Sequence, residues 1–468
     1  KKMKKFILNS EHKKIISDTI TPVSVYLKIR DAYPNSILLE SSDYNHNNKG
    51  FSYICFNPIA YIKVEKKNII RKFPDDNIIT EIIDENTDIP NCINSFSKQF
   101  KVNKNEYKFI SSGLFGYISH DAIRYFENIS LDNKKQGLNI PDIYYAVYQN
   151  IIAISLFNHE AYIFSHSIKK EHNIVEIQTL LNNPCSNIFN FKRVGKKTSN
   201  LNDNDFLEYV KNAKAHCHRG DVFQLVLSRR FSQEFNGDEF NVYRSLRSIN
   251  PSPYLFFFDY GGFKIFGSSP EAQLIIKDGN AEIHPIAGTF RRTGNDEKDK
   301  ALAEKLKTDP KENSEHVMLI DLARNDLSRN GSHVIVEKNR EIQLFSHVIH
   351  LVSKVNCKMK VKTNTFQVVA DTFPAGTLSG APKHRALQLI DKYESIKRNF
   401  YGGAIGYMDF EGNFNHAIII RSFLSKDQKL YYQAGAGIVA DSDPDSELQE
   451  VYNKLGALDK ALKVAEEL

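Results

Sequence analysis

The chain has 468 residues, of which 41% are hydrophobic and 25% are charged, and its formal net charge at pH 7 is +6. These proportions are those of a globular protein, so a fibrous or disordered class is excluded. The cations are spread along the chain, with the densest cluster at residues 1–5, and a nucleic-acid-binding stripe is not indicated. A mild positive field favours small anionic substrates.

Cysteine usage and hydropathy indicate a cytoplasmic protein. The five cysteines are far apart and form no C-x-x-C pair, so no zinc or iron–sulfur site is indicated. A scattered set of this kind is typical of a reducing compartment. There is no run of 18 apolar residues to span a bilayer and no apolar signal-peptide core, so we expect no membrane partner. The cysteines are Cys55, Cys92, Cys185, Cys217 and Cys357.

The first 180 residues consist mainly of alternating segments that predict β-strands. These segments are 37–40, 51–56, 60–64, 146–156 and 161–165. The Asn-rich insert 75–108 predicts loop and helix. The stretch 182–200 combines Pro, Gly, Asn and Lys and predicts a domain boundary. We therefore expect an N-terminal region over 1–190 and a second region over 195–468.

The second region alternates helices and strands without a regular βαβ repeat. Helices are predicted at 205–219, 297–308, 313–327, 382–393 and 444–465. Strands are predicted at 222–231, 263–267, 272–276, 282–286, 404–409, 417–422 and 430–434. This order predicts an α+β fold with two packed, antiparallel-rich β-sheets and helices outside them.

The segment 433–454 predicts a strand, a glycine turn and a helix. Gly435 and Gly437 allow backbone N–H groups to approach a ligand closely. Three charged residues of the helix share one face, a pattern that fits either a solvated surface with ion pairs or a site for an acidic ligand and a hard cation. These residues are Glu447, Glu450 and Lys454.

A second acidic helix contains Glu315. Alone, this residue is more typical of a helix surface. Together with Glu450 it could hold Mg²⁺, which is commonly bound by one or two carboxylates and by substrate oxygens.

Nine sequence blocks in the second region occur in an order that resembles a known family. They are DVFQLVLSRR (221–230), SSPEA (268–272), HPIAGT (284–289), EHVMLIDLARNDLSR (315–329), HVIHLVSKV (347–355), FPAGTLSGAPKHRA (373–386), YGGAIGY (401–407), AIIIRS (417–422) and QAGAGIVADSDP (433–444). Together they closely resemble the chorismate-binding enzymes, a family that includes anthranilate, aminodeoxychorismate, isochorismate and salicylate synthases. LLESSD (38–43) and GLFGYISHD (113–121) are similar to the N-terminal region of the anthranilate synthases.

The resemblance implies a site for chorismate, a dianion with a ring carboxylate and an enolpyruvyl carboxylate. Mg²⁺ bound by Glu315 and Glu450 would hold the ring carboxylate. The other substrate-binding positions would be Gly288 and Thr289 at the ring, Arg421, Tyr401 and the Gly435–Ala436–Gly437 amides at the enolpyruvyl carboxylate, and Lys454 as either a substrate contact or an ion pair.

The resemblance also implies catalytic roles. Glu271 would be the general acid that protonates the leaving C4 hydroxyl, which requires a raised pKa. His350 would assist the elimination step, although the residues alone favour a core histidine in an apolar strand. Gln224 and Thr377 complete the expected catalytic set.

Two positions discriminate among the members of the family. Relatives that use water carry a Lys where this chain has Gln224, and a Gln cannot deprotonate water. Relatives that aminate C4 carry a Lys where this chain has Ala287. Amination at C2 by ammonia, followed by pyruvate loss to give anthranilate, is therefore favoured. An aminodeoxyisochorismate synthase, an aminodeoxychorismate synthase and an inactive scaffold subunit are the alternatives. Phe290, where Arg is common, is a departure from the family pattern.

The resemblance implies two further partners. No cysteine has the Gly-flanked setting of a glutaminase nucleophile, so ammonia should come from a separate glutamine amidotransferase subunit. LLESS (38–42) and NPSPYLFFF (250–258) resemble segments that bind tryptophan as a feedback inhibitor, although NPSPY also fits a Pro-ordered turn. The candidate tryptophan residues are Glu40, Ser41, Pro253, Tyr254 and Leu255.

Overall fold

The computed structural model describes residues 4–41, 50–103, 106–155, 157–184, 187–344 and 348–468, without the side chains of residues 287, 289, 291, 311 and 348. Cys185 and the end of the predicted strand 146–156 lie outside the described residues. The helices are α1 (Pro22–Arg30), α2 (Ile89–Ser97), α3 (Ile174–Asn182), α4 (Asp203–His218), α5 (Phe240–Ile249), α6 (Asp296–Thr308), α7 (Pro310–Ser328), α8 (Thr365–Thr372), α9 (Lys383–Tyr393) and α10 (Pro444–Val464).

The strands are β1 (Phe6–Ile16), β2 (Ile37–Glu40), β3 (Phe51–Glu65), β4 (Asn68–Lys72), β5 (Ile78–Ile82), β6 (Phe100–Val102), β7 (Gly113–Ile118), β8 (Ile143–Ser155), β9 (Glu160–Ser167), β10 (Phe191–Ser199), β11 (Gln224–Gly237), β12 (Tyr254–Asp259), β13 (Lys264–Ser269), β14 (Ala272–Lys277), β15 (Asn280–Ile283), β16 (Ile286–Arg291), β17 (Gly331–Leu344), β18 (Val348–Met359), β19 (Gly380–Ala381), β20 (Ala404–Asp409), β21 (Phe414–Ile418), β22 (Ser422–Lys426) and β23 (Lys429–Ile438).

The long strands β3 and β8 pair with each other and join two antiparallel sheets. In the first sheet, β3 pairs with β2, and the order continues through β12, β13, β22, β23 and β11 to β10. On the other edge of this sheet, β8 pairs with β9, which pairs with β1. In the second sheet, β3 pairs with β4, which pairs with β5. On the other side, β8 pairs with β7, and the order continues through β20, β21, β14 and β15 to β18, which pairs with both β16 and β17. A register shift at Pro58 separates the two ends of β3.

The two sheets pack face to face. One hydrophobic cluster combines Phe256 and Leu424 of the first sheet with Phe115 and Ile405 of the second. The helices α4 and α5 both pack against α10 on the outside of the first sheet, where α4 contacts β11, α10 contacts β23 and α5 contacts β13. The predicted α+β fold with two packed, antiparallel-rich sheets is confirmed. In the part of the chain that is described, no helix is both long and apolar enough to cross a membrane.

Strands from the first 190 residues complete both sheets of the second region. In the first sheet β2 pairs with β12, and in the second sheet β7 pairs with β20. The segment predicted as a boundary contains β10, which pairs with β11. The division into 1–190 and 195–468 stays a prediction, but the sheets are shared between the two regions.

Three local predictions are wrong. The predicted strand 282–286 is broken before Pro285, which cannot donate a ladder hydrogen bond. The predicted strand 417–422 is broken by a tight turn in which Ile420 N donates to Ile418 O at 3.0 Å. The predicted glycine turn at 435–437 is part of the continuous strand β23. A Cβ on Gly435 would lie 2.6 Å from Leu227 O, so glycine is needed there for close strand packing.

Helix α10 begins where the sequence predicts. Asp443 caps it by accepting a hydrogen bond from Ser446 N at 2.9 Å, and Pro444 occupies its first turn. The predicted insert 75–108 contains β5, α2 and β6, so it is more ordered than a loop with a helix.

Candidate active site

Glu271 lies between β13 and β14 and is buried, with 8% of its surface exposed. The Thr377 hydroxyl donates a hydrogen bond to Glu271 Oε1 at 3.1 Å. Burial raises the pKa of Glu271 to about 8, although the Thr377 hydrogen bond and the charges of Arg421 and Lys454 oppose this rise. A carboxyl group in this state is protonated at neutral pH and can act as a general acid.

Arg421 follows the tight turn between β21 and β22 and has a positive φ of 50°. This conformation is uncommon for a residue other than glycine, and such residues cluster at functional sites. Burial lowers the pKa of Arg421, while the nearby Glu271 carboxyl opposes the shift. The charge of Arg421 also acts on His350, so these three side chains share one region.

His350 lies on β18 and donates from Nδ1 to Gly288 O at 3.2 Å. Burial and the charge of Arg421 lower the pKa of His350 to about 4. The imidazole is therefore neutral at pH 7, and the Nδ1 hydrogen bond leaves Nε2 as its basic nitrogen. Thr289 is opposite His350 in the β16–β18 ladder, and the side chains of Ala287 and Thr289 lie outside the described residues.

Gly288 has a φ of 69°, in the left-handed region that favours glycine. A Cβ at this position would lie 2.6 Å from Leu306 Cδ1 and 2.9 Å from Glu312 Oε2. The first turn of α7 therefore lies against the ring-binding position predicted at Gly288. Glu315 is on the same helix, three residues after Glu312.

Tyr401 and α10 both lie beside β23. Burial raises the pKa of Tyr401 above its usual range, and the Glu450 carboxylate adds to this rise. Lys454 donates from Nζ to Gly435 O at 2.8 Å and pairs with Glu450 Oε1 at 2.6 Å. Lys454 therefore ties α10 to the glycine segment of β23.

Gln224 is the first residue of β11 and is buried. Its side-chain amide packs against β23, because a Cβ on Gly437 would lie 2.7 Å from Gln224 Nε2. Ala436 is opposite Leu227 on the same pair of strands. The structure thus brings Gln224 together with the glycine segment, as the site prediction requires.

The chain is similar in sequence and in structure to known proteins. The family described as chorismate binding enzyme matches residues 35–460. The chain belongs to the chorismate binding enzyme family.

Its relatives include two proteins of similar length. Anthranilate synthase component 1 of Aquifex aeolicus (strain VF5) is 35% identical over 97% of this chain and 94% of its own length. Anthranilate synthase component 1 of Acetivibrio thermocellus is 36% identical over 97% of this chain and 95% of its own length. Both relatives are named as component 1 of an anthranilate synthase.

Two solved structures share the fold. Anthranilate synthase component I of Streptococcus pneumoniae TIGR4 superposes with a TM-score of 0.76 and 31% identity, covering 95% of this chain and 99% of that one. The menaquinone-specific isochorismate synthase of Escherichia coli superposes with a TM-score of 0.72, covering 98% of this chain and 96% of that one. At 16% identity, the second similarity shows the fold alone.

The carboxylates of Glu315 and Glu450 have the oxygen donors that a hard cation such as Mg²⁺ prefers. Within the described residues, no group of three or more acidic, His or Cys side chains forms a ready ligand shell. Two carboxylates with substrate oxygens would suffice for Mg²⁺. Glu450 pairs with the Lys454 ammonium at 2.6 Å, so its carboxylate already faces a cation. The donor set therefore fits the metal, and the assignment of both ligands stays a prediction.

The predicted tryptophan residues converge at one end of the β2–β12 pair, where Glu40 is opposite Leu255. Ser41 follows β2, Pro253 directly precedes β12, and Tyr254 is the first residue of β12. The Glu40 carboxylate accepts hydrogen bonds from Tyr243 OH at 2.6 Å and from Arg247 Nε and Nη2 at 2.8 and 2.9 Å. Neither Tyr243 nor Arg247 is marked as a partner of Glu40 by any pattern in the sequence. Glu40 therefore has a structural role, and its contact with tryptophan stays a prediction.

Sequence reasoning also missed the buried pair of Glu394 and Arg398, which lies next to Tyr401. Four residues apart and close to a predicted helix end, the two residues resemble a common helix-surface ion pair. Their burial depends on strands that are distant in sequence, so no local signal marks them.

Proposed function

We propose that this chain is the aminating subunit of an anthranilate synthase, which adds ammonia to C2 of chorismate and eliminates pyruvate. The observation that carries this proposal is Glu271, a buried carboxyl group with a pKa of about 8 next to Arg421. Support also comes from relatives at about 35% identity that are named anthranilate synthase component 1.

In the first step, the Glu271 carboxyl donates its proton to the C4 hydroxyl, which leaves as water while ammonia bonds to C2. Thr377 holds the carboxyl in place from one side. Arg421 and the amides of the β23 glycine segment bind the enolpyruvyl carboxylate, for which a guanidinium and backbone N–H groups are suitable donors. Gln224 has no basic group to activate water, so ammonia, a neutral nucleophile, is the reacting partner.

The ammonium group formed at C2 loses a proton to solvent. In the second step, the C2 proton is lost and the C3–oxygen bond breaks, which makes the ring aromatic. The leaving group is the enolate of pyruvate, which takes up a proton and becomes pyruvate. His350 is neutral, and its Nε2 accepts the C2 proton. Glu315 and Glu450 would hold Mg²⁺ at the ring carboxylate. When bound, the ion supplies positive charge that orients the ring and withdraws electrons from it.

The ammonia would come from a separate glutamine amidotransferase subunit, and tryptophan would be a feedback inhibitor bound near Glu40 and Leu255. The reaction would take place in the cytoplasm, since four described cysteines, Cys55, Cys92, Cys217 and Cys357, are free thiols. Added amidotransferase should allow glutamine to replace ammonium, and tryptophan should lower the rate.

The experiment that tests the reaction is incubation with chorismate, Mg²⁺ and ammonium at about pH 8.5, where part of the ammonium is free amine. Anthranilate fluorescence should appear, and EDTA should abolish it. Pyruvate should be released in equal amount, as measured with coupled lactate dehydrogenase. An amino product without pyruvate would indicate an aminodeoxyisochorismate or an aminodeoxychorismate synthase instead. Isochorismate or salicylate would contradict the interpretation of Gln224.

A further inference from the structure

Arg398 lies between α9 and β20 and is 2% exposed. Its Nε and Nη2 donate to Glu394 Oε2 and Oε1 at 2.8 and 2.6 Å. A buried ion pair is weak support for stability, because desolvation offsets much of its attraction. The role of this ion pair in the protein therefore depends on the groups that it contacts.

The Arg398 guanidinium contacts two segments of the candidate site. Its Nη1 donates to Leu378 O at 2.6 Å, and Leu378 directly follows Thr377, which holds Glu271. Its Nη2 donates to Val226 O at 2.8 Å, on the strand that begins with Gln224.

The same guanidinium lies 5.7 Å from the centre of the Tyr401 ring, within cation–π distance. Tyr401 N also donates to Arg398 O at 3.2 Å. Arg398 thus connects the acid side of the site with the residue predicted to bind the enolpyruvyl carboxylate.

Glu394 extends these connections to β23. Its Oε1 accepts hydrogen bonds from Ser228 N at 2.8 Å and from Ser228 Oγ at 2.7 Å. Ser228 Oγ in turn accepts from Gln433 Nε2 at 2.7 Å, and Ser228 is opposite Gly435 in the β11–β23 ladder. The pair therefore contacts β11, the segment that follows Thr377, and Tyr401, and it is linked to β23 through Ser228.

We propose that Arg398, held by Glu394, is a positioning residue that sets the distance between the general acid and the binding groups for the enolpyruvyl carboxylate. It acts through Thr377, Tyr401 and β11 and does not contact the substrate. This inference rests on the proposed assignment of the site. Only an arginine fits the role, because its planar fork supplies five donors in fixed directions and a lysine ammonium does not.

The test compares Arg398→Lys with Arg30→Lys in the full chain. Arg30 is a matched control because it forms a similar two-point pair with Asp238, at 3.1 and 2.6 Å, outside the candidate site. Folding is checked by circular dichroism at the assay temperature. Chorismate affinity with Mg²⁺ is measured by calorimetry, and turnover is measured as chorismate consumption with ammonium.

Arg398→Lys should lower kcat by roughly 100-fold, the loss that a displacement of about 1 Å can cause. It should also weaken chorismate binding severalfold, whereas Arg30→Lys should change both values by less than about twofold. Equal effects of the two variants, or an unchanged kcat in a folded Arg398→Lys protein, would overturn the proposal.

A second variant keeps the test decisive if Arg398→Lys does not fold. Ser228→Ala removes the hydrogen bonds that Ser228 Oγ makes with Glu394 and with Gln433, and it leaves both charges in place. It should lower kcat by about three- to tenfold without changing the unfolding midpoint by more than a few degrees. An unchanged kcat in Ser228→Ala would count against the proposal. Because chorismate consumption is followed, a wild-type product other than anthranilate would refute the proposed function and leave this comparison valid.

Discussion

Glu40 and Glu271 are both buried glutamates, 5% and 8% exposed, but their surroundings differ. Glu40 is fixed by the two-point contact with Arg247 and by the Tyr243 hydroxyl. Glu271 receives a side-chain hydrogen bond from Thr377, and burial raises its pKa to about 8. The two carboxyl groups are buried to a similar extent but differ in their partners. This difference fits an anchoring role for Glu40 and the proton-donor role that we propose for Glu271.

Replacement of the Glu271 carboxyl should have the largest effect. Glu271→Gln keeps the size of the side chain but cannot act as an acid, so kcat should fall by about 10²- to 10⁴-fold. Anthranilate fluorescence measures the rate, and calorimetry should show chorismate affinity within a few-fold of wild type. A loss of less than tenfold would mean that Glu271 is no more a proton donor than Glu40.

Glu450→Gln should have the next largest effect, because Glu450 is a predicted metal ligand. Mg²⁺-dependent turnover should fall by at least roughly 10- to 100-fold, the loss that follows removal of even the outer partners of metal ligands. The matched variant is Glu447→Gln, on the same helix and 4% exposed, which should lose less. Equal losses across a Mg²⁺ titration would show that the ligand assignment is wrong.

The pH dependence tests the same contrast without a mutation. In its proposed role Glu271 would be active as the protonated acid, and the fraction of Glu271 in that form falls as pH rises through about 8. At constant free ammonia, kcat/KM should therefore decline by about tenfold per pH unit above this value. His350, with its pKa lowered to about 4, stays neutral over this range and does not change the pH dependence of kcat/KM. A flat profile from pH 7 to 9.5 would contradict the raised pKa of Glu271.

Glu40→Gln should have the smallest effect on turnover. The ammonia-dependent rate should stay within about twofold, while loss of the charged hydrogen bonds to Arg247 should lower the free energy of unfolding by about 1.5–3 kcal/mol. Chemical denaturation measures this loss, and the same protein should respond less to tryptophan. A large fall in the uninhibited rate would remove the distinction between an anchoring and a reacting glutamate.

Much of the site was predictable because its residues lie in short, continuous sequence motifs. The Asp443–Pro444 pair predicts the start of α10, and the ordered sequence blocks identify Glu271, His350 and Arg421, which the structure brings together. Their chemical roles stay predictions.

Other features depend on contacts between distant segments. Glycine permits both a turn and the close approach of another strand, so the sequence alone does not distinguish the two for the glycines of β23. The contact with β11 shows that close packing of strands is the reason for glycine there. The Arg398 guanidinium donates hydrogen bonds to the backbone carbonyls of Leu378 and Val226. Because every residue has a backbone carbonyl, the sequence pattern does not indicate which ones Arg398 contacts. The break before Arg421 follows a turn within an apolar run that looks like one strand.

The pairing of β2 with β12 has a consequence for synthesis of the chain. Glu40 and its partner Leu255 are separated by more than 200 residues. At about 5–20 residues per second, β2 leaves the ribosome roughly 10–40 s before β12 has been made. During that interval the apolar strand has no native neighbour on this edge. The partner that is available to β2 during this interval is β3, which pairs with its other edge and is made soon after it.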